Sequence, residues 1–237
     1  MIKIENVYKS YKANKPVLKN INLDILPGDI FAFIGHNGAG KTTLIKCITG
    51  ILNFESGAIT IDNIDIKKEP LKCKGITAYV PDNPDIYEFM TGMEYLKFIL
   101  DVCHLNFEQK MTQIIEIAKT FEIYDSLGTK ISEFSHGMKQ KLVLISALMR
   151  DTKFLVLDEP FVGLDPKASR IVKDMMKDYC KKGNAIFFST HVLDTAEKLC
   201  NKVAIIKSGE ILRVGSMAEI KGDSSLEDAF LKDDKDE

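Results

Sequence analysis

Arginine is nearly missing from this 237-residue chain: of its 32 basic residues, only Arg150, Arg170 and Arg213 carry a guanidinium. Proteins that read nucleic-acid grooves depend on that bidentate fork, and a formal net charge of −2 lacks the basic surplus a phosphate backbone demands. Nucleic acid is therefore not an expected partner. Long apolar runs are missing too; stretches such as Phe31 to Ile34 fall far short of the roughly 20 residues a spanning helix needs. The opening Met1-Ile2-Lys3-Ile4-Glu5 holds no apolar leader. The five cysteines, Cys47, Cys73, Cys103, Cys180 and Cys200, form no C-x-x-C pair and no metal-ligand spacing. They read as buried apolar thiols of a reducing compartment. These absences leave a globular chain expected on the cytoplasmic side. It is 45% hydrophobic and 28% charged, and long enough to bury a full core as one domain.

What is present is a recurring order of short apolar run, turn and helical pattern. The runs are Ile30–Ile34, Ala78–Val80, Phe154–Leu157, Ala185–Ser189 and Val203–Ile206. Most are continuous rather than alternating, as expected for strands covered on both faces. Ile2–Tyr8 and Leu18–Ile25 alternate, and Pro27-Gly28-Asp29 reads as a hairpin connection from the second of these into Ile30–Ile34. Between Asp82 and Arg150 the pattern turns helical, over Met93–Cys103, Phe107–Phe121 and Gly137–Arg150. In the second of these, Met111, Ile114, Ile115 and Ala118 give one apolar face. The C-terminal stretch from Gly222 is acidic, ends Asp233-Asp234-Lys235-Asp236-Glu237, and is expected to fray.

The residues Gly35-His36-Asn37-Gly38-Ala39-Gly40-Lys41-Thr42-Thr43 contain the spacing G-x-x-x-x-G-K-[ST] between a strand-like run and a helical one. Glycines let successive N–H groups curl inward around phosphate oxygens, and the following helix offers its positive end to the same charge. In such a loop Lys41 is placed to reach the β- and γ-phosphates, and the Thr42 hydroxyl can ligate Mg²⁺. His36 reads as a variable position of the loop. The strand Phe154–Leu157 runs into Asp158 and Glu159. An acid pair at a strand end ordinarily meets only solvent. Beside a phosphate loop, Asp158 reads as a second metal partner, and Glu159, one step along the pleat, as the group that polarises an attacking water.

Over nearly its whole length the chain resembles the ATP-binding subunits of ABC (ATP-binding-cassette) transporters. Phe134-Ser135-His136-Gly137-Met138-Lys139-Gln140 stands at the family's signature, usually Leu-Ser-Gly-Gly-Gln. Phe161-Val162-Gly163-Leu164-Asp165 stands at its D-loop, His191 at its switch histidine and Tyr11 at its adenine-stacking aromatic. Asp82 replaces the usual glutamine after Tyr79-Val80-Pro81, so that glutamine's metal and water role passes to Asp82 only as an open question. His136 and Met138 replace a glycine and a glutamine of the signature. The Ser-x-Gly-Met-Lys-Gln signature and the tail Leu226-Glu227-Asp228-Ala229-Phe230 are similar to those of subunits serving ABC-2-type bacterial exporters.

The resemblance implies an α/β fold: a P-loop NTPase core, mainly parallel sheet between helices, with an N-terminal antiparallel β subdomain and an inserted α-helical subdomain. Residues 1–81 and 151–215 would form the nucleotide-binding core, 82–150 the helical subdomain with the signature, and 216–237 a C-terminal tail. It implies ATP and Mg²⁺ as ligands. Glu159, His191 and Lys41 would act catalytically, and Thr42, Asp158 and Asp82 would serve the metal. Tyr11, Gly35, Asn37, Gly38, Ala39, Gly40, Lys41, Thr42 and Thr43 would contact nucleotide, with Ser135 and Gly137 supplied from the other subunit of a head-to-tail homodimer or heterodimer. The expected partner is a membrane-spanning permease, with this chain peripheral on the cytoplasmic face of the membrane. A non-transport ABC ATPase is the alternative, but the coiled coils or paired cassettes of such relatives are not here. A GTPase is disfavoured because Asn201-Lys202-Val203-Ala204 lacks the final Asp of a base-reading motif.

Overall fold

A computed structural model describes residues 1–12 and 15–235. In chain order the first half holds β1 (Ile2–Lys12), β2 (Lys15–Ile25), β3 (Ile30–Ile34), α1 (Lys41–Ile48), β4 (Ser56–Ile61), β5 (Ile64–Asp65), α2 (Pro70–Ile76) and β6 (Thr77–Val80). Then come α3 (Gly92–Val102), α4 (Phe107–Thr120), α5 (His136–Leu148), β7 (Phe154–Asp158), α6 (Pro166–Lys181) and β8 (Ala185–Thr190). The chain continues through α7 (Leu193–Leu199), β9 (Lys202–Lys207), β10 (Glu210–Ser216), α8 (Met217–Lys221) and α9 (Leu226–Lys235). Among the described residues no helix is long and apolar enough to cross a membrane.

The strands form two sheets. One is antiparallel, in the order β2-β1-β4-β5; the other runs β10-β9-β3-β8-β7-β6, parallel except for the edge pair β10–β9. Strands β3, β7 and β8 are buried at every position, which is why their sequences read as unbroken apolar runs. The two-residue pleat then splits β3 between two cores. Ile30, Ala32 and Ile34 join the residues of α3 to α7, whereas Phe31 and Phe33 face α1 and the antiparallel sheet. Phe187 of β8 packs against both phenylalanines, with ring centroids 5.6 and 5.4 Å apart. Each of these buried rings contributes about 1.5–3 kcal/mol by leaving water.

Two readings of the sequence need correction here. Pro27-Gly28-Asp29 is not a hairpin: β2 and β3 lie in different sheets, and the turn carries the chain from one to the other. Asp29 fixes that transfer. Its buried carboxylate accepts the Leu26 N–H at 2.8 Å and the Asn201 amide at 3.1 Å, and pairs with Lys202 at 3.0 Å. Nor does the acidic C-terminal stretch fray from Gly222. Leu226, Ala229 and Phe230 fall at helical spacing, and α9 docks with Leu226 and Ala229 buried. Asp236 and Glu237 lie outside the described residues.

The helical stretch between β6 and β7 holds α3, α4 and α5. In α4 the buried positions are Ile114 and Ala118, with Met111 and Ile115 half-buried. These helices share one continuous core with the large sheet, joining Leu96, Leu100 and Ile114 to Ala78, Leu155 and Ile186. Cys47, Cys73, Cys180 and Cys200 are buried and Cys103 half-buried, all unbridged. Burial pushes the Cys47 thiol up to about 11 and that of Cys180 to about 12, so both stay protonated and act as small apolar groups.

Candidate active site

The loop between β3 and α1 is shaped by what cannot fit there. A side chain on Gly35 would place its Cβ 2.4 Å from the Ile206 carbonyl oxygen. Gly40 combines a left-handed φ of 112° with the Val17 carbonyl 2.9 Å from a would-be Cβ. The loop therefore curls tightly into α1, whose first turn carries no acidic residue to oppose an incoming anion. Lys41 opens that helix, only 7% exposed. Its ammonium donates to the Gly35 carbonyl at 2.7 Å and to that of His36 at 3.3 Å, and lies 3.8 Å from Glu159 Oε1. Loop carbonyls and one carboxylate thus hold the ammonium in place.

Two parallel strands, β6 and β7, deliver the acids. Asp158 ends β7, 1% exposed, and its carboxylate accepts a hydrogen bond from the Ser189 hydroxyl of the neighbouring β8. Glu159 does not continue the pleat as the sequence implied. Its φ of 46° is left-handed, and its N–H donates to Ser189 Oγ at 3.1 Å. Non-glycine residues hold such a conformation only where the surroundings impose it. The turn sends Glu159 back over Lys41 and within 3.0 Å of His191 Nδ1, the second residue's side chain being about half-exposed. Asp82, just beyond β6, lines the same cleft as Asn37, Lys41, Thr42 and Asp158, a space of about 320 Å³. Partial burial first, then the negative charges of Asp158 and Glu159, push the Asp82 carboxyl above the usual carboxylate range.

Other expected residues lie around this cleft. Tyr11 is 58% exposed, with its hydroxyl 3.3 Å from Thr43 Oγ1, and shares a neighbouring hollow with Lys15, Val17, Gly38 and Ser208. Ala39 is buried behind the loop. Ser135 and Gly137 do not line the cleft of their own chain. Ser135 caps α5, accepting the Met138 N–H at 3.3 Å. Gly137 lies so close to Gly163 that a Cβ would stand 2.8 Å from its carbonyl oxygen, and a Cβ on Gly163 would in turn strike the His136 ring. The signature and the Gly163 loop therefore form one packed unit, tied again by Lys141 and Asp165 at 3.7 Å.

Two participants escaped sequence reasoning. Ser189 is invisible in any motif, yet the register that pairs Asp158 with Ser189 across β7 and β8 would have found it. His36, read as a variable loop position, packs its ring on Phe230 of α9 at 4.9 Å between centroids.

Comparison with known proteins follows the same lines. A family model described as ABC transporter matches residues 18–162. The ABC-type transporter ATP-binding protein EcsA of Bacillus subtilis (strain 168) is 32% identical over 233 residues, spanning 98% of this chain and 94% of its own. A solved structure described as the ATP-binding subunit of an ABC transporter superposes with a TM-score of 0.95 at 30% identity, over 99% of this chain and 100% of that one. A dimeric ATP-binding cassette in a post-hydrolysis state, bound to ADP and Pi, shares the fold with a TM-score of 0.83 at 24% identity, over 92% of this chain and 99% of its own.

Proposed function

The chain belongs to the ATP-binding family of ABC transporters, an ATPase family, and from that membership we propose that it drives an exporter of the ABC-2 type as a head-to-tail dimer on the cytoplasmic face of a membrane-spanning permease. The observation that carries the reading is the convergence of Lys41, Thr42, Asp158, Glu159 and Asp82 on one cleft at the carboxyl ends of parallel strands. Export rests on the likeness of Ser135-His136-Gly137-Met138 and of the Leu226–Phe230 tail. Docking of a permease beside Asp82 is supported by Tyr87 and Phe89, 49% and 72% exposed and stacked near Phe98 of α3.

The donor set fits Mg²⁺. Thr42, Asp158 and Asp82 place three hard-oxygen side chains on one cleft, which suits an ion that completes its shell with phosphate and water. When bound there, Mg²⁺ supplies neutralising charge to the phosphate oxygens. Lys41 leaves the Gly35 and His36 carbonyls for the β- and γ-phosphates, and the N–H groups of the loop surround the same oxygens. Glu159 takes a proton from the attacking water as the new oxygen–phosphorus bond forms and the bond to the β-phosphate oxygen breaks. His191, whose Nδ1 lies 3.0 Å from Glu159 Oε1, steadies the γ-phosphate. Ser135 and Gly137 belong to the partner's nucleotide, closing the site across the dimer, so that hydrolysis lets the halves separate.

Mixing two inactive variants tests the shared site. Ser135→Arg spoils the signature and Lys41→Ala the phosphate loop, but a mixed dimer still contains one intact site. The mixture should regain phosphate release that neither variant has alone. A mixture as inactive as its components would overturn the trans arrangement.

A further inference from the structure

The helix α9 does more than cover the end of the large sheet. It is held at one end by α7: Glu197 accepts the Leu226 N–H at 2.9 Å and the Lys221 ammonium at 2.9 Å, clamping the start of α9 and the end of α8 together. Those partners hold the Glu197 carboxyl below its usual range. Helix α7 begins two residues after His191. One turn along α9, Phe230 reaches the phosphate loop and packs on the His36 ring, with 4.9 Å between centroids and planes inclined by 58°. The contacted residue is also a backbone hub of the loop. The His36 carbonyl accepts both the Ala39 N–H at 3.2 Å and the Lys41 ammonium at 3.3 Å.

From this chain of contacts we infer that α9 is a strap joining the phosphate loop to the His191 segment, and that Phe230 is a positioning residue that holds the loop in its phosphate-ready curl through His36. The loop residues 36–38 are exposed. Ordering them before nucleotide arrives reduces what binding must spend on ordering, an advantage that falls on affinity rather than on the chemical step. Phe230 does not line the cleft assigned to the nucleotide. Its influence runs through the curl of the loop, in which the His36 carbonyl accepts the Ala39 N–H. The inference rests on the nucleotide reading of the cleft given above.

The test is calorimetric titration of the full-length chain with Mg-ATP, alongside steady-state ATPase kinetics, for Phe230→Ala, Phe230→Tyr, His36→Ala and the Phe230→Ala/His36→Ala double variant. Phe230→Ala should raise Kd and KM by about two- to tenfold, the range a lost ring contact converts to, with kcat within about twofold of the parent. Phe230→Tyr, which keeps the ring, should bind as the parent does. The double variant should be no weaker than the more affected single, because both remove the same contact. Should Phe230→Ala fail to fold, Phe230→Leu keeps apolar bulk against the core while losing the ring, and should show the same rise in Kd. Parental Kd in the Ala or Leu variant, or fully additive losses in the double, would overturn the strap. Failure of the parent itself to bind Mg-ATP would instead count against the function assigned to the cleft.

Discussion

Glu159→Gln separates binding from chemistry more cleanly than any other change in the cleft. Glutamine keeps the shape of the side chain and can still sit beside His191 Nδ1, 3.0 Å from Glu159 Oε1 in the parent. What disappears is the negative charge and the basicity. Losing a positioned general base slows a reaction by about 10²- to 10⁴-fold, equivalent to about 3 to 5 kcal/mol of barrier. Binding should move the other way. The Glu159 carboxylate lies 3.8 Å from the Lys41 ammonium, inside a cleft where its side chain is only 12% exposed, and it competes with phosphate for that cation. Neutralising it removes both the competitor and a repulsive charge, so Mg-ATP affinity should equal or exceed the parent's. Single-turnover phosphate release gives the chemical rate, and size-exclusion chromatography with ATP should reveal an accumulated dimer. A Gln variant that releases phosphate within about threefold of the parental rate would refute the assignment of the base.

Three further changes probe Asp82, where the chain departs from its family, and Gly137 of the signature. In nucleotide- and metal-free protein, Asp82→Asn should raise the melting temperature at neutral pH. The Asp82 pKa is raised in the fold, so its ionised form costs stability above that value, and the gain should shrink as pH falls through it; an Asn variant that melts lower at neutral pH would contradict this. Asp82→Ala should keep Mg-ATP affinity within about 1 kcal/mol of the parent yet lose stimulation by the permease in a reconstituted ATPase assay, and full stimulation would move coupling elsewhere. Gly137→Ala should push the Gly163 carbonyl away, since the added Cβ would meet it at 2.8 Å; turnover should fall while ATP binding to the monomer holds, and unchanged turnover would show that the loop yields freely.

The parts of this molecule that were legible in its sequence are those whose physics is local. The run Ile30–Ile34, the glycine loop and Lys41 follow one another without interruption, and the strand appears with those bounds. The signature is equally local, because Ser135 caps the helix it opens. What could not be read depends on contacts between distant segments. Strand β10 carries Leu212 and Val214 about half-exposed on an edge, so its apolar pattern is weak and only its pairing with β9 defines it. The transfer at Asp29 depends on Asn201 and Lys202, far along the chain. The acidic charge of the C-terminal stretch masked Leu226, Ala229 and Phe230, whose spacing did carry the helix. In the cleft, the motifs gave the acids and the lysine, but not Ser189 beneath Asp158 or the left-handed turn that aims Glu159 at His191.

The central claim is that Lys41, buried and held by loop carbonyls in this structure, exists to bind the phosphates of ATP. Calorimetric titration of the parent and of Lys41→Ala with Mg-ATP tests it directly. The parent should bind, and the Ala variant should lose at least about tenfold in affinity, the loss expected when a charge-assisted contact to phosphate is removed. Equal affinity in the two proteins would contradict the account, because the cleft would then owe nothing to the residue around which it is built.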